Sequence, residues 1–247
     1  MAKWLMAAWC CLISQAYGEP VRVAAVSNVE PALKTLLDRF TASTGIPVEV
    51  RYGPGVSLAA SIAKGSPDQI YLSSNEEFPK RLLSQGRCIG KPKVYALGRV
   101  ALWSLSNDFS SKNWLLWLKS SKGRIAVPNP ETSIYGQPVL FILNHYQLVE
   151  SLRPRIEKAP DIAHVFDRVA SGKASAGFVS KSMVRQSAFR NKGRWVEMPA
   201  DSYPPIRQTM VLLKPADKRP EAWQLFGFLL SKDAQKVWRD FGYGVPE

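Results

Sequence analysis

Apolar and polar positions alternate along the chain with two different periodicities, one typical of strands and one typical of helices. Short runs rich in β-branched and aromatic residues predict strands at 21–26, 48–52 and 69–72. Between the first two, leucines recur at helical spacing over 29–42, with Asn28 as the predicted N-terminal cap and Gly45 as the terminator. Strands that alternate with amphipathic helices are typical of a doubly wound α/β fold.

The same alternation continues to the C-terminus. Further strands are predicted at 94–104, 124–127, 176–179 and 206–213. Further helices are predicted at 57–64, 77–84, 114–119, 138–149, 162–170, 220–230 and 232–241. Because the run at 94–104 is long enough to carry the chain into a second lobe, we predict two lobes. The first comprises 19–93 and 205–247, and the second comprises 94–204.

The N-terminus has a different character. Lys3 precedes an apolar run at 4–13, and small residues follow up to Gly18. This order predicts a secretory signal peptide over 1–18 and export to the periplasm. Cys10 and Cys11 lack a small residue directly before them, which disfavours lipidation. No later run approaches the ~18 apolar residues that a membrane helix needs.

Composition narrows the class of protein. The 247 residues are 46% hydrophobic and 21% charged, which is typical of a globular protein. The formal net charge of +13 permits anionic partners. The basic residues are scattered and form no known nucleic-acid-binding motif, so we expect no nucleic-acid partner. After removal of the leader only Cys88 remains, so no internal disulfide is possible.

The candidate site lies at the ends of the predicted strands. In open α/β sheets, ligands bind at the carboxyl ends of strands, beside the start of the following helix. Ser27 and Asn28 follow the first strand, and residues 53–57 follow the second. Residues 129–136 follow the strand at 124–127. Helix N-termini favour anions, although serine, asparagine and Gly-Pro-Gly also occur simply as caps and turns.

Several segments together resemble one family, the periplasmic molybdate-binding proteins of ABC importers. They span nearly the whole chain after the leader, at 23–28, 52–74, 130–136, 176–180 and 234–242. The resemblance implies the type II periplasmic-binding-protein fold, in which two lobes, each a mixed sheet flanked by helices, hold the ligand between them. It also implies a monomer that delivers a small, molybdate-like oxyanion to an ABC transporter permease, without a cofactor.

Carried over position by position, the resemblance implies neutral hydrogen-bond donors from both lobes. The family's ligand positions fall at Ser27, Gly55, Tyr135 and Gly136, Ile162, and Ser180. Neighbouring donors at the same helix starts are Asn28, Val56 and Ser57.

Two of these positions depart from the family. Gly55 lacks the hydroxyl of the family's serine, and Ser180 is much shorter than the family's tyrosine. Losing two charge-assisted hydrogen bonds would weaken molybdate binding by roughly two to four orders of magnitude. Tyr135, Ser57, Ser133 and Lys181 are candidates to replace the lost donors. The departures also leave open a different oxyanion or a larger anionic molecule.

Other kinds of chemistry find less support in the sequence. His145 and His164 are not spaced as metal ligands, so we expect no metal site. No nucleophile-elbow motif is present, so we expect no catalytic activity. An iron-binding relative of the fold would need paired tyrosines, and no adjacent pair exists. An exported enzyme or interaction protein that reuses the fold remains an alternative, because fold does not fix function.

Overall fold

The computed structural model describes residues 18–186 and 192–246, so the predicted signal peptide lies outside the described residues apart from Gly18. The described part of the chain forms two five-stranded sheets, each flanked by helices. In chain order, β1 to β10 are Val21–Val26, Val48–Gly53, Ile70–Ser73, Cys88–Gly98, Val100–Ser104, Ile125–Pro128, Ile156–Ala159, Ala176–Ser180, Arg194–Glu197 and Ile206–Leu213.

The helices connect these strands. In chain order, α1 to α10 are Glu30–Thr44, Gly55–Ala63, Glu77–Ser84, Trp114–Ser120, Gly136–His145, Val149–Leu152, Ile162–Ala170, Lys181–Arg185, Pro220–Leu229 and Lys232–Asp240. A 3₁₀ turn at Ser27–Val29 joins β1 to α1.

Both sheets are mixed. The first has the strand order β2-β1-β3-β10-β4, in which β1, β2 and β3 are parallel and β10 is antiparallel to both neighbours. The second has the order β7-β6-β8-β5-β9, in which β6, β7 and β8 are parallel and β5 is antiparallel to both neighbours. We call the part built on the first sheet lobe 1 and the part built on the second sheet lobe 2. The α/β, two-lobed fold predicted from the sequence is confirmed.

Each lobe is held by its own apolar core. In lobe 1, helix α1 buries leucines and Phe40 against the sheet, and the Phe40 ring lies 5.4 Å from that of Phe228. In lobe 2, the Trp103 ring stacks on Phe166 at 4.4 Å. Burying a large side chain of this kind contributes roughly 1.5–3 kcal/mol. The cores therefore stabilise each lobe separately and leave the polar strand ends free to form a site.

Most element boundaries agree with the sequence prediction, but two predicted elements are each divided. The run at 94–104 belongs to two strands, β4 and β5, which lie in different sheets on either side of Arg99. The helix predicted at 138–149 breaks at Gln147, whose φ of 53° ends regular helix geometry. Strand β7, helix α8 and strand β9 were not predicted. The predicted lobe boundaries stay a prediction, and β4 continues in the first sheet to Gly98.

Candidate functional site

A cleft of about 740 Å³ lies between the lobes. It is lined by the carboxyl ends of parallel strands from both sheets, which is where open α/β sheets place their ligands. The lobe 1 wall comes from segments after β1, β2 and β3, at 26–28, 53–56 and 74–78. The lobe 2 wall comes from segments after β6 and β7, within 130–137 and at 161–162.

Ser27 and Asn28 form the first part of the lobe 1 wall. Both lie in the 3₁₀ turn after β1 and line the cleft, and Ser27 is exposed. The prediction that Asn28 caps the following helix is wrong, because no side chain caps either the 3₁₀ turn or α1. The carbonyl oxygen of Asn28 instead accepts a hydrogen bond of 2.8 Å from the Tyr243 hydroxyl. The turn is therefore fixed from behind while Ser27 faces the cleft.

The start of α2 forms the second part of the lobe 1 wall. Pro54 precedes the helix in an extended conformation, and no side chain caps its first turn. Gly55 and Val56 line the cleft there, whereas Ser57 is exposed outside the lining. Uncapped first-turn N–H groups and the positive end of the helix dipole suit an anion.

The glycine at position 55 has a packing explanation that the sequence did not reveal. A Cβ atom at Gly55 would lie 3.3 Å from the ring of Phe78 and 3.4 Å from Val26, closer than side chains usually pack. The carbonyl oxygen of Gly55 also accepts a hydrogen bond of 3.1 Å from the Tyr71 hydroxyl. The space beside Gly55, where the related family carries a serine side chain, is therefore limited by the Phe78 ring.

Ser74 and Asn75 line the cleft and were not predicted as site residues. They follow β3 just as Ser27 follows β1, so the strand-end rule alone would have found them. The Asn75 side chain accepts a hydrogen bond of 3.2 Å from the backbone N–H of Phe78 and so occupies one donor at the start of α3.

The backbone N–H donors of the loop before α5 are engaged in hydrogen bonds within the loop itself. The N–H of Gly136 donates to the carbonyl oxygen of Ser133 at 2.9 Å, and the N–H of Tyr135 donates to the Ser133 hydroxyl at 3.3 Å. Gly136 itself lies outside the lining and has no room for a side chain, because its Cβ would come within 2.4 Å of the Asn129 carbonyl oxygen. The backbone donors expected at Tyr135 and Gly136 are thus engaged within the loop.

Asp161 occupies the start of α7 beside Ile162, and both line the cleft. Its carboxylate accepts hydrogen bonds from the backbone N–H of His164 at 2.9 Å and from the His164 ring at 2.8 Å. Burial tends to raise the pKa of Asp161, but the hydrogen bonds from His164 outweigh it and lower the pKa. The hydrogen bond to Asp161 in turn raises the pKa of His164. The N-terminus of this helix thus already holds a carboxylate.

Ser180 lies behind the cleft. It is 2% exposed, it is absent from the lining, and its hydroxyl lies 3.0 Å from that of Ser182. Tyr135 lines the cleft but is 2% exposed. Burial raises the pKa of Tyr135 far above its usual value, so this phenol stays a neutral donor.

Comparison with known proteins matches this architecture to one family. A family profile of bacterial extracellular solute-binding proteins matches residues 21–244. The chain belongs to this family. It is 28% identical over 235 residues to the molybdate-binding protein ModA of Azotobacter vinelandii, covering 95% of this chain and 93% of that protein. It is 29% identical to ModA of Rhodobacter capsulatus, covering 92% and 89%.

A solved structure supports the same assignment. The periplasmic molybdate-binding protein of Azotobacter vinelandii superposes with a TM-score of 0.75 at 28% identity, covering 92% of this chain and all of that one. The resemblance to the periplasmic molybdate-binding proteins is therefore confirmed. Within the described ranges, no helix is both long and apolar enough to cross a membrane, and no cluster of potential metal ligands occurs.

The charges of this solute-binding protein are unevenly placed around its cleft. Among the described residues that line it, those with a charge are all carboxylates, namely Glu77, Glu131 and Asp161. Glu77 is paired with Arg81 at 3.2 Å, and Asp161 with His164. The basic residues in the described part of the chain lie outside this lining. An anion in the cleft would therefore meet hydroxyl, amide and backbone N–H donors rather than a cation.

Proposed function

We propose that this solute-binding protein captures a small oxyanion of the molybdate or tungstate kind in its cleft and delivers it to the permease of an ABC importer. The observation that carries the proposal is the pair of uncapped turns on the lobe 1 wall. Ser27 and the first turn of α2 both begin at strand ends, line the same cleft and lack a side-chain cap. The two ModA relatives are named for molybdate binding, which supports this ligand class.

Neutral donors suffice for such a ligand. A hydrogen bond to a charged partner contributes roughly 1.5–3 kcal/mol, and several donors together replace part of the anion's hydration shell. Closure of the lobes would exclude water and strengthen each of these bonds. We infer that the protein works as a monomeric binder and that the ligand leaves unchanged.

Export of the protein belongs to the same proposal. The order of Lys3, the apolar run at 4–13 and the small residues before Gly18 supports a cleaved leader and a periplasmic location. N-terminal sequencing of the exported protein should then find Glu19 first. A protein that retains Met1 after export would contradict the cleavage.

A larger anion is the second candidate. The cleft of about 740 Å³ is far larger than a tetrahedral oxyanion needs, and Glu131 and Asp161 on its lobe 2 wall suit a ligand that also carries hydrogen-bond donors. An organic phosphate or carboxylate with hydroxyl groups would fit these features.

Calorimetric titration tests the proposal directly. The chain from residue 19 onward would be titrated with molybdate, tungstate, sulfate, phosphate and small hydroxy-carboxylates. We expect molybdate or tungstate to bind at a single site, more tightly than sulfate or phosphate. Binding of organic anions alone would favour the second candidate. Silence with every anion would overturn the transport role and favour an exported interaction protein.

A further inference from the structure

A short segment near the end of the chain contacts both lobes. It comprises residues 241–246, which follow α10, and we call it the C-terminal strap. Its middle residues, Gly242, Tyr243 and Gly244, are buried although they belong to no helix. None of the residues of the strap lines the cleft. The strap is therefore placed to act on the arrangement of the lobes rather than on the ligand itself.

Lobe 1 holds the strap by hydrogen bonds. Leu97 in β4 exchanges two backbone hydrogen bonds with Gly244, each of 2.7 Å. The side chain of Tyr243 packs in the lobe 1 core, and its hydroxyl donates at 2.8 Å to the carbonyl oxygen of Asn28. Buried groups that lost these partners would be left unsatisfied, which is costly. The strap therefore moves together with lobe 1.

Lobe 2 contacts the strap through α8. The Nε–H group of Arg185 in α8 donates a hydrogen bond of 3.1 Å to the carbonyl oxygen of Asp240, the last residue of α10. A Cβ atom at Gly242 would lie 3.1 Å from Arg185 Cδ and 3.1 Å from the carbonyl carbon of Lys181. The φ of Gly242 is 90°, a conformation that favours glycine. The backbone of the strap thus lies directly against α8.

Arg99 adds a second contact, at the passage from β4 to β5. A Cβ atom at Gly244 would lie 2.5 Å from Arg99 Nε, so the guanidinium group covers this part of the strap. The same Nε lies 4.0 Å from the carboxylate of Glu197 in lobe 2. The strap and the covalent connection between the lobes therefore run side by side. A rotation of lobe 2 against lobe 1 must move α8 relative to the strap.

These contacts belong to an arrangement of the lobes in which the cleft is wide. The cleft of about 740 Å³ is far larger than a tetrahedral oxyanion needs, so both walls can contact such an anion only after the lobes approach each other. We propose that the C-terminal strap restrains this closure, and that it lowers the affinity for every small anion by favouring the wide arrangement. This inference rests on the proposed binding of a small oxyanion in the cleft.

Substitutions of Arg185 test the restraint. Arg185→Met places a methyl group where Nε lies, whereas Arg185→Gln keeps an amide N–H at the same number of bonds from Cα. Both remove one positive charge, so the difference between them reports the hydrogen bond to Asp240. By calorimetric titration, the methionine variant should bind molybdate and sulfate about threefold more tightly than the glutamine variant. The factor is small because the hydrogen bond is exposed to solvent and shifts the population of the wide arrangement only modestly.

Two further measurements distinguish a restraint from ordinary structural support. Closure acts on all small anions alike, so the ratio of molybdate to sulfate affinity should be the same in both variants. Urea denaturation without ligand should show that the methionine variant is no more stable than the glutamine variant. Tighter binding would thus accompany equal or lower stability, whereas the loss of a purely structural contact would lower stability and affinity together.

The restraint and the proposed function fail in distinguishable ways. Equal affinities of the two variants, weaker binding by the methionine variant, or a changed ratio between the anions would overturn the restraint alone. A wild-type protein that binds neither anion would overturn the proposed function and the restraint with it.

Discussion

The two walls of the cleft are built from the same topological feature and are chemically different. On the lobe 1 wall, Ser27 is exposed, and the first turn of α2 after Pro54 has no side-chain cap. On the lobe 2 wall, the N–H groups of Tyr135 and Gly136 donate to Ser133, and a carboxylate caps α7. Strand ends create both walls, and α5 on the lobe 2 wall also lacks a side-chain cap, but the N–H groups of Tyr135 and Gly136 there are already engaged by Ser133.

This difference suggests that the two walls have different roles in anion binding. An anion would first find partners on the lobe 1 wall, because those groups need not give up an internal partner. The lobe 2 wall would then restrict which ligands allow closure, since it meets the ligand with Glu131 and Asp161. The three predictions below test whether the lobe 2 wall is rigid, whether the lobe 1 wall carries the affinity, and whether the lobe 2 carboxylate opposes the anion.

The largest expected effect concerns the rigidity of the lobe 2 wall. Gly136→Ala places a Cβ atom 2.4 Å from both the Asn129 carbonyl oxygen and the Pro130 Cα, which are backbone atoms that cannot move aside without moving the loop. We expect the free energy of unfolding to fall by about 3 kcal/mol, as measured by urea denaturation.

A glycine in a helix serves as the control for Gly136→Ala. Gly227, within α9, has nothing within 4 Å of an added Cβ. Gly227→Ala should stabilise the protein by about 1 kcal/mol, because alanine favours a helix interior. Equal changes in the free energy of unfolding for the two substitutions would show that the lobe 2 loop can move to accept a side chain. The contrast between a rigid lobe 2 wall and an open lobe 1 wall would then be wrong.

The second effect concerns the affinity carried by the lobe 1 wall. Ser27→Ala removes the exposed hydroxyl beside the uncapped turn and should weaken molybdate binding by about 2 kcal/mol, or roughly thirtyfold. Ser57→Ala, which removes an exposed hydroxyl outside the lining, is the control and should bind normally. Isothermal titration of both variants measures the difference. An unchanged affinity for Ser27→Ala would show that the Ser27 side chain does not bind the anion and that the residue only forms part of the turn.

Much of this architecture was predictable from the sequence because the relevant physics is local. The strands at 21–26 and 206–213 and the helix at 162–170 carry their apolar periodicity within one segment, and their predicted bounds agree with the structure. The placement of Ser27 and Asn28 on the cleft follows from the strand-end rule in the same way.

Features that depend on residues distant in sequence were not predictable. Asn28 was expected to be a cap, but its side chain caps no helix, and its backbone carbonyl oxygen accepts a hydrogen bond from Tyr243, more than two hundred residues away. The sequence indicated only that Gly55 lacks the hydroxyl of the family's serine, whereas the structure shows that Phe78 limits the space at this position. Ser180 was placed in the site by resemblance, and the structure buries it beside Ser182. The division of 94–104 at Arg99 likewise depends on which sheet each half pairs with.

The smallest expected effect concerns the carboxylate at the start of α7. Below the raised pKa of His164, the protonated ring neutralises Asp161, whereas above it the carboxylate opposes an anion in the cleft. Asp167 also favours the protonated ring. Molybdate affinity should therefore fall by about twofold to fivefold as the pH rises through the raised pKa of His164.

Two substitutions at the α7 cap separate the charge of the carboxylate from the capping hydrogen bond. Asp161→Asn keeps a capping side chain without the charge, so it should bind molybdate at the higher affinity at every pH. His164→Gln leaves the carboxylate uncompensated, so it should bind at the lower affinity at every pH. Because both side chains of the pair are largely solvated, the difference stays small, and titrations at several pH values are needed to resolve it. A pH dependence that persists in His164→Gln would assign it to another group and remove Asp161 from the contrast between the two walls.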